Sequence, residues 1–458
     1  MSFQVDRGTA RPLAEQICRS IEARILNGSY GPGQRLPSTR QLALELGVSR
    51  STVSDAFDML MAEGLIIGVT GSGTFVNSVR YLEQRRSLSK DVAPIAELPA
   101  AARTVVNALS WGPTLDYFPF DVWQKIGTEQ AARVRELLSE GDPSGFAPLR
   151  AQIATYLKRR RGLVCDPDQI VITSGMTQGL DLVARTLLRS GDIALMEDPA
   201  EMRVRTTLTL AGANVMPLAV DDEGLRIDAA PERFRLVHLS PVRQFPSGVM
   251  LSSDREKDIR RRVEINGAHI VEMDNTALLP EPRAPIFADE ASRDHTIYLS
   301  TWSWTMFRSL RIGYIVAEPA MIERLVATRA AMDFRPPLIE QYMLEQFMRE
   351  GHLDRYIDRM RAVLSVRQQS LMGSWPAAMP EGVILSPEPG GLGHMLTLPG
   401  GTDVERLLRQ AAARGLEPRN ISAWFADPQR RALLLGFAYA GEFTTIKGMR
   451  DLADILKS

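Results

Sequence analysis

Four successive polar side chains, Ser49, Arg50, Ser51 and Thr52, open an otherwise apolar helical run and are suited to hydrogen bonds with phosphates and base edges. A second grouping, Gly175-Met176-Thr177, stands where a helix would begin, and the free N–H groups of a helix start favour anions. Other chemistries find no support. The five histidines (His238, His269, His295, His352, His394) have no ligand spacing, so no metal site is expected. No GxSxG string or Walker loop occurs. Cys18 and Cys165 fall in different expected domains without CxxC spacing and read as ordinary buried or spare thiols.

The elements that must position these groups follow from periodicity. Residues 12–27, PLAEQICRSIEARILN, place Leu13, Ile17, Ile21 and Ile25 at helical spacing, and Gly28 is a natural stop. Beyond the Pro32-Gly33 turn, Ser38 and Ser49 stand where N-caps belong and Gly47 separates two short helices, the layout of a helix-turn-helix. In the second of these, Val53, Phe57 and Leu60 form a buried stripe, so the polar opening faces outward. Leu65–Val76, LIIGVTGSGTFV, reads as two short strands joined by a glycine-rich turn.

From Ser78 to Thr104 periodicity fades into an exposed linker, whose Arg85-Arg86 pair suits either a brush against DNA or simple solvation. Between residues 169 and 300 the apolar runs IVITS, IALME, NVMPL, LVHLS, HIVEM and TIYLS alternate with helical stretches, which predicts an α/β domain with buried parallel strands. A long helical stretch from Pro337 to Leu371 then leads into a smaller α/β segment. The expected division is 1–77, a linker 78–104, a large domain 105–345 and a small domain 346–458.

Composition sets the class. Of 458 residues 45% are hydrophobic and 24% charged, as in ordinary globular chains. The formal net charge of −1, with seven arginines against seven acidic residues over 1–76, gives no electrostatic hint of nucleic acid, so arrangement must carry any such claim. No apolar run reaches the length of a membrane span and the N-terminus lacks a signal-peptide core, so a cytoplasmic location is expected.

The string G-x-R-LPS-x-R-x-LA-x-x-LGVSR-x-TV-x-x-A, ending in GSGTFV, resembles the GntR family of bacterial transcription regulators. The resemblance implies a winged helix-turn-helix in which Arg40, Ser49, Arg50, Thr52 and the wing glycine Gly73 meet double-stranded DNA, with Arg35 on a phosphate. A three-helix unit with a hairpin also packs against partners other than DNA. Downstream, LDYFP-x-x-x-W, GDPSGFAPLR, ATYLKRRRG, ITSGMTQGLDLVARTLL, GDIALMEDP, RQFPSGVML, SLRIGY and EGHLDRYIDRMRAVL resemble fold-type I aminotransferases, in the order of the MocR subgroup of GntR regulators. That implies a multidomain α/β chain: the winged head followed by the large and small domains of the pyridoxal phosphate-dependent transferase fold.

Matched to the family's cofactor motifs, this sequence departs from them repeatedly. In TWSWTMFRSLRIGY, Trp304 stands at the position of the lysine that forms an imine with the cofactor, and none of the six lysines lies in that segment. An indole cannot form that bond, so covalent transamination loses its resting state. In HIVEMDNTALLP, Met273 stands where the family has the aspartate that pairs with the ring nitrogen, and Asn275 where it has a tyrosine, while Asp274 has no assigned role. In EDPAEMR, Glu201 replaces a stacking aromatic, and its carboxylate is expected to repel a phosphorylated ligand.

Thr301, Ser303 and Arg311 match the family's phosphate cup, which serves either an anion or internal hydrogen bonds and an internal carboxylate. Arg203 stands where the family places an arginine for an effector carboxylate, and equally suits a surface ion pair. The expectation is a DNA-binding regulator, a head-to-tail homodimer, with no covalent cofactor, no catalytic residue, and Trp304 filling the volume of the lost ring. A small-molecule effector of unknown identity is compatible with this. The competing readings are an enzyme or regulator holding pyridoxal phosphate noncovalently, and a purely structural dimerisation platform.

Overall fold

Ser38 sits in extended backbone, and its side chain accepts the Gln41 amide at 3.2 Å, so a helix begins where a free N–H needs an oxygen. In the computed structural model the described residues are 12–26, 30, 34–62, 66–69, 73–76, 108–132, 141–279, 284–288 and 294–457. The chain divides into two compact units between Arg103 and Thr104. The expected linker 78–104, with Arg85-Arg86, lies outside the described residues.

The first unit contains α1 (Leu13–Leu26), α2 (Thr39–Leu46), α3 (Arg50–Ala62) and the antiparallel hairpin β1 (Ile66–Val69) and β2 (Gly73–Val76). Gly47 leaves α2 in the left-handed region at φ 62°, which turns the chain into α3. Ile17, Ile21, Leu42, Val53, Phe57, Leu60, Ile66 and Val76 form its core, so the stripe read from the sequence is buried. Residues 34–36 extend the hairpin through Leu36 N–H to Thr74 O and Val76 N–H to Gln34 O, both 2.9 Å.

The second unit is built on an eight-stranded sheet in the order β3-β10-β9-β8-β7-β4-β5-β6. Its members are β3 (Ile170–Thr173), β4 (Ile193–Asp198), β5 (Asn214–Asp221), β6 (Gly224–Leu225), β7 (Leu236–Leu239), β8 (His269–Asp274), β9 (Thr296–Thr301) and β10 (Gly313–Val316). All six apolar runs named above are strands. Two features differ from a uniformly buried parallel sheet. β10 is antiparallel to both neighbours, because it returns from β9 through a short loop instead of a crossover helix. β5 alternates exposed and half-buried side chains, since β6 covers it only at its end.

Helices α4 (Phe120–Ala131), α5 (Ala147–Arg161), α6 (Met176–Leu187), α7 (Met202–Leu210), α8 (Ser253–Asn266) and α9 (Pro319–Met332) surround this sheet. The helical stretch expected over 337–371 is two helices, α10 (Leu338–Arg349) and α11 (His352–Gly373), broken by Gly351 at φ 72°. The expected boundary at 345/346 falls inside α10, so the chain does not divide there. A four-stranded antiparallel sheet, β11 (Ile384–Leu385), β12 (Gly393–Leu398), β13 (Arg419–Asn420) and β14 (Arg431–Gly436), shares one apolar core with α12 (Val404–Ala413) and α13 (Glu442–Lys457).

Residues 108–111 are threaded along this smaller sheet. Leu109 O accepts the Gly436 amide at 2.9 Å, Ala108 O accepts that of Glu417 at 2.9 Å, and the Ser110 hydroxyl donates to Glu417 at 2.7 Å. A Cβ on Gly436 would lie 2.0 Å from Ser110 O, so only glycine permits the approach. No helix among the described residues is long and apolar enough to cross a membrane.

Arg161, the last residue of α5, forms a buried ion pair with Asp274, the last residue of β8. Thr276 accepts from Arg161 at 2.9 Å and donates to Asp274 at 2.6 Å, and the Tyr298 hydroxyl also donates to that carboxylate. Burial opposes the Asp274 charge, but the Arg161 guanidinium and these donors outweigh it and hold the carboxyl below its usual range. Asp274→Asn leaves a buried guanidinium without its counter-ion and is expected to destabilise the second unit by about 3–5 kcal/mol. The urea midpoint measures this, and an apolar Arg161→Met, Asp274→Leu double variant should recover most of the loss.

Candidate functional site

In the first unit the Ser49 hydroxyl accepts the Thr52 amide at 3.1 Å and lies 2.8 Å from Ser51 Oγ and 2.7 Å from Thr52 Oγ1. Ser49 is therefore engaged in capping α3. Arg50 is exposed beside it and reaches Thr39 Oγ1 at 3.4 Å, while Arg40 is exposed on α2. At the hairpin, the Arg35 side chain lies over Gly73: a Cβ there would sit 2.9 Å from Arg35 Nε, at a φ of +115° that side chains rarely adopt. The structure thus gathers Ser49, Arg50 and Thr52 at one helix start, and pairs Arg35 with Gly73 at the hairpin.

In the second unit a cavity opens where the parallel strands end, the position at which α/β sheets place ligands. Thr301 ends β9 and Ser303 follows it, Met273 comes from β8, and Glu201 and Arg203 open α7. Trp304, Arg311 and the start of α6 complete its walls. No lysine lines it. Thr301 Oγ1 is used internally, donating to Ile312 O at 2.9 Å and accepting the Ser303 amide at 3.2 Å. Ser303 Oγ is buried with no partner among the described residues. Arg311 donates to Ser174 O at 2.9 Å and lies against Gly175, the uncapped start of α6 at φ 84°.

Asn275 does not line the cavity. Strand alternation alone would put it on the face of Met273, but β8 ends at Asp274, whose carboxylate accepts the Thr276 amide at 2.8 Å and turns the chain. Its side chain lies instead near Gly391 and Phe245. The expected repulsion from Glu201 is also corrected. Its carboxylate is paired with Arg203, Nε at 3.0 Å, so the cation nearest in sequence neutralises it. Arg203 is by the same contact an ion-pair partner within the chain.

The sequence reading missed Trp111, Arg308 and Arg419. Trp111 and Trp304 pack at a 42° tilt with centroids 4.3 Å apart, and Trp111 stacks on Phe245 at 5.3 Å. Arg308 lies 4.6 Å from the Trp304 centroid and 5.5 Å from that of Trp111, and Arg419 lies 5.0 Å from Trp111. Contact with the rings removes part of its water and the Arg203 and Arg419 charges repel it, so Arg308 is held below the ordinary arginine range. Arg308 lay within the quoted string TWSWTMFRSLRIGY, but the chain there is turn and 3-10 helix, for which spacing predicts no direction. His238, in the cavity wall, is pushed down to about 4 by burial and is neutral.

Two family models match the chain. Residues 13–76 match that of bacterial regulatory proteins of the gntR family, and residues 114–411 match aminotransferase class I and II. The chain belongs to the aminotransferase class I and II family. To this family's fold it adds a gntR-type head, an arrangement shared over nearly full length with regulators. A probable rhizopine catabolism regulatory protein, MocR, of Rhizobium meliloti is 29% identical, with 98% of this chain and 94% of the relative covered. The HTH-type pyridoxine biosynthesis transcriptional regulator PdxR of Corynebacterium glutamicum is 27% identical, covering 96% and 95%. Among solved structures, the multiple substrate aminotransferase of Thermococcus profundus superposes with a TM-score of 0.69 at 26% identity, over 78% of this chain and 92% of that one. The α-aminoadipate aminotransferase of Thermus thermophilus, complexed with N-(5'-phosphopyridoxyl)-L-leucine, gives the same TM-score and identity over 77% and 92%.

Behind the aminotransferase-type cavity, burial pushes Glu197 from its ordinary 4.5 up to about 8, although it accepts the Ser240 amide at 3.0 Å. The folded chain keeps a proton that the unfolded chain releases near pH 4.5, so this group's contribution is full below that pH and declines as pH rises to about 8. Glu197→Gln, which keeps an acceptor for Ser240, should therefore raise the melting temperature more at about pH 8 than at about pH 5. Calorimetry at the two pH values decides it; an equal shift at both would show an ordinary carboxylate.

Proposed function

We propose that the chain is a transcription regulator of the MocR type that binds operator DNA through residues 13–76 and whose aminotransferase-type unit does not hold pyridoxal phosphate as an imine. The observation that carries the first part is the gntR-family match coinciding with a helix start that exposes Arg50 beside a completed Ser49 cap. Arg40, Arg50 and Thr52 contact DNA at the helix-turn-helix. Arg35, seated on Gly73, contacts it at the wing. Ser49 contributes through the cap, since its hydroxyl is already occupied. Two such heads in a head-to-tail homodimer would read repeated half-sites.

The second part is carried by the cavity wall. The phosphate end of the family cofactor is matched by Ser303, Arg311 and the start of α6. The ring end is not: an indole stands at Trp304 and a thioether at Met273, and neither can form an imine. The residues present do not fit the group, and no reaction step is assigned to it. Trp304, packed on Trp111 under Arg308, fills the ring's place.

Arg50→Ala should weaken binding to DNA from the region flanking the chain's own gene at every salt concentration, and lower the slope of log affinity against log salt by about 1 if its contact is to phosphate. Fluorescence anisotropy measures both, and unchanged affinity overturns the assignment. After mixing with pyridoxal phosphate and dialysis the chain should show no aldimine absorption band; a retained band means that one of the six lysines reaches the pocket.

A further inference from the structure

Positive charge collects at the cavity without matching carboxylates. Arg203, Arg308 and Arg311 line it, with Glu201 as the one acidic lining residue among the described residues, and Glu201 is already paired with Arg203. Arg419 stands close enough to Glu201 and Arg203 for their charges to act on it, 5.5 Å from the Trp424 ring and 5.0 Å from that of Trp111. Among the described residues neither Arg308 nor Arg419 donates a side-chain hydrogen bond or forms an ion pair; each contacts an indole. A guanidinium stacked through its face still presents its N–H donors in the plane of the fork, aimed past the ring. Arginines left in that state, repelling one another, define a place where an anion is missing.

A second place lies in the same cavity. Ser303 Oγ, in a side chain only 6% exposed, has no partner among the described residues, and it faces a cavity that also holds the uncapped start of α6 and Arg311. Helix start, hydroxyl and guanidinium together suit one anionic group. Met273 and Trp304 add apolar wall to the same cavity.

We propose that the cavity is the effector site for a short aliphatic dianion, one anionic group held by Ser303, Arg311 and the start of α6, the other by Arg308 with Arg419. A dicarboxylate and a phosphorylated carboxylic acid share this chemistry. The proposal rests on the reading of the cavity as free of an imine-bound cofactor, and it adds a ligand class and two residues, Arg308 and Arg419, to it. Neutral His238 adds no charge to the site.

Isothermal titration of the full chain with succinate, glutarate and 2-phosphoglycolate, against acetate and inorganic phosphate, tests it. At least one dianion should saturate at one per chain with at least tenfold lower Kd than either control, and the more tightly bound of the carboxylate and phosphate forms identifies the group in the Ser303 cup. Arg308→Gln and Arg419→Gln should each raise that Kd about tenfold, whereas Arg261→Gln, a loss of equal charge on α8, should leave it unchanged. Melting curves of the variants establish that they are folded, and Arg308→Lys, which keeps the charge but not the planar fork, should recover part of the affinity. No saturation by any dianion, phosphate binding as tightly as the dianions, or an Arg308→Gln Kd equal to that of the natural chain overturns the proposal. DNA binding and the pyridoxal phosphate spectrum, recorded on the same preparation, separate the two readings. An aldimine band defeats the cofactor-free reading, while DNA binding without an aldimine band or dianion binding defeats this one alone.

Discussion

The Arg161–Asp274 ion pair fixes the edge of the sheet from which every wall of the cavity departs. Both charges are almost fully enclosed, and an enclosed charge is tolerable only with its partner and donors in place. That requirement locks the end of α5 onto the end of β8, and Tyr298 and Thr276 lock β9 and the following turn to the same carboxylate. Arg160 carries the constraint outward, bridging Asp354 and Asp358 of α11. Met273 precedes the pair by one residue and Thr301 ends the neighbouring strand, so the geometry of the cavity follows from a charge pair that does not line it.

The elements were legible where one physical signal dominated. Ser38, Gly47 and Ser49 act through caps and a left-handed turn that depend on a few local atoms, and the six apolar runs are strands because buried strands need little else. The misreadings arose where distant parts compete. β10 is as apolar as its neighbours, and its direction is set by the short return from β9, which composition does not encode. The boundary expected at 345/346 dissolves because Trp111, Phe245, Phe347 and Trp424 belong to one continuous apolar core that joins the larger and smaller sheets.

At the site itself, sequence position brought Glu201, Arg203, Met273, Thr301, Ser303, Trp304 and Arg311 to one cavity, and failed for Asn275 because one Asx turn redirects it. Arg308 and Arg419 were invisible for a different reason. More than a hundred residues separate them, and what unites them is a shared aromatic surface to which Trp111 contributes from a third segment. Charges that meet only through tertiary structure leave no spacing to read. Glu201 shows the converse: judged alone it is a repulsive carboxylate, but two residues later the chain supplies the cation that cancels it.

The strap of residues 108–111 has a mechanical consequence. Backbone bonds and the Gly436 contact clamp it to the small sheet, yet its last residue packs on Trp304, which lines the cavity. Whatever shifts the Trp111 ring therefore pulls on a segment whose neighbours Ala108, Leu109 and Ser110 are bonded to the small sheet, so movement at the Trp304 wall is passed to the small sheet as strain in these bonds rather than absorbed by a free side chain.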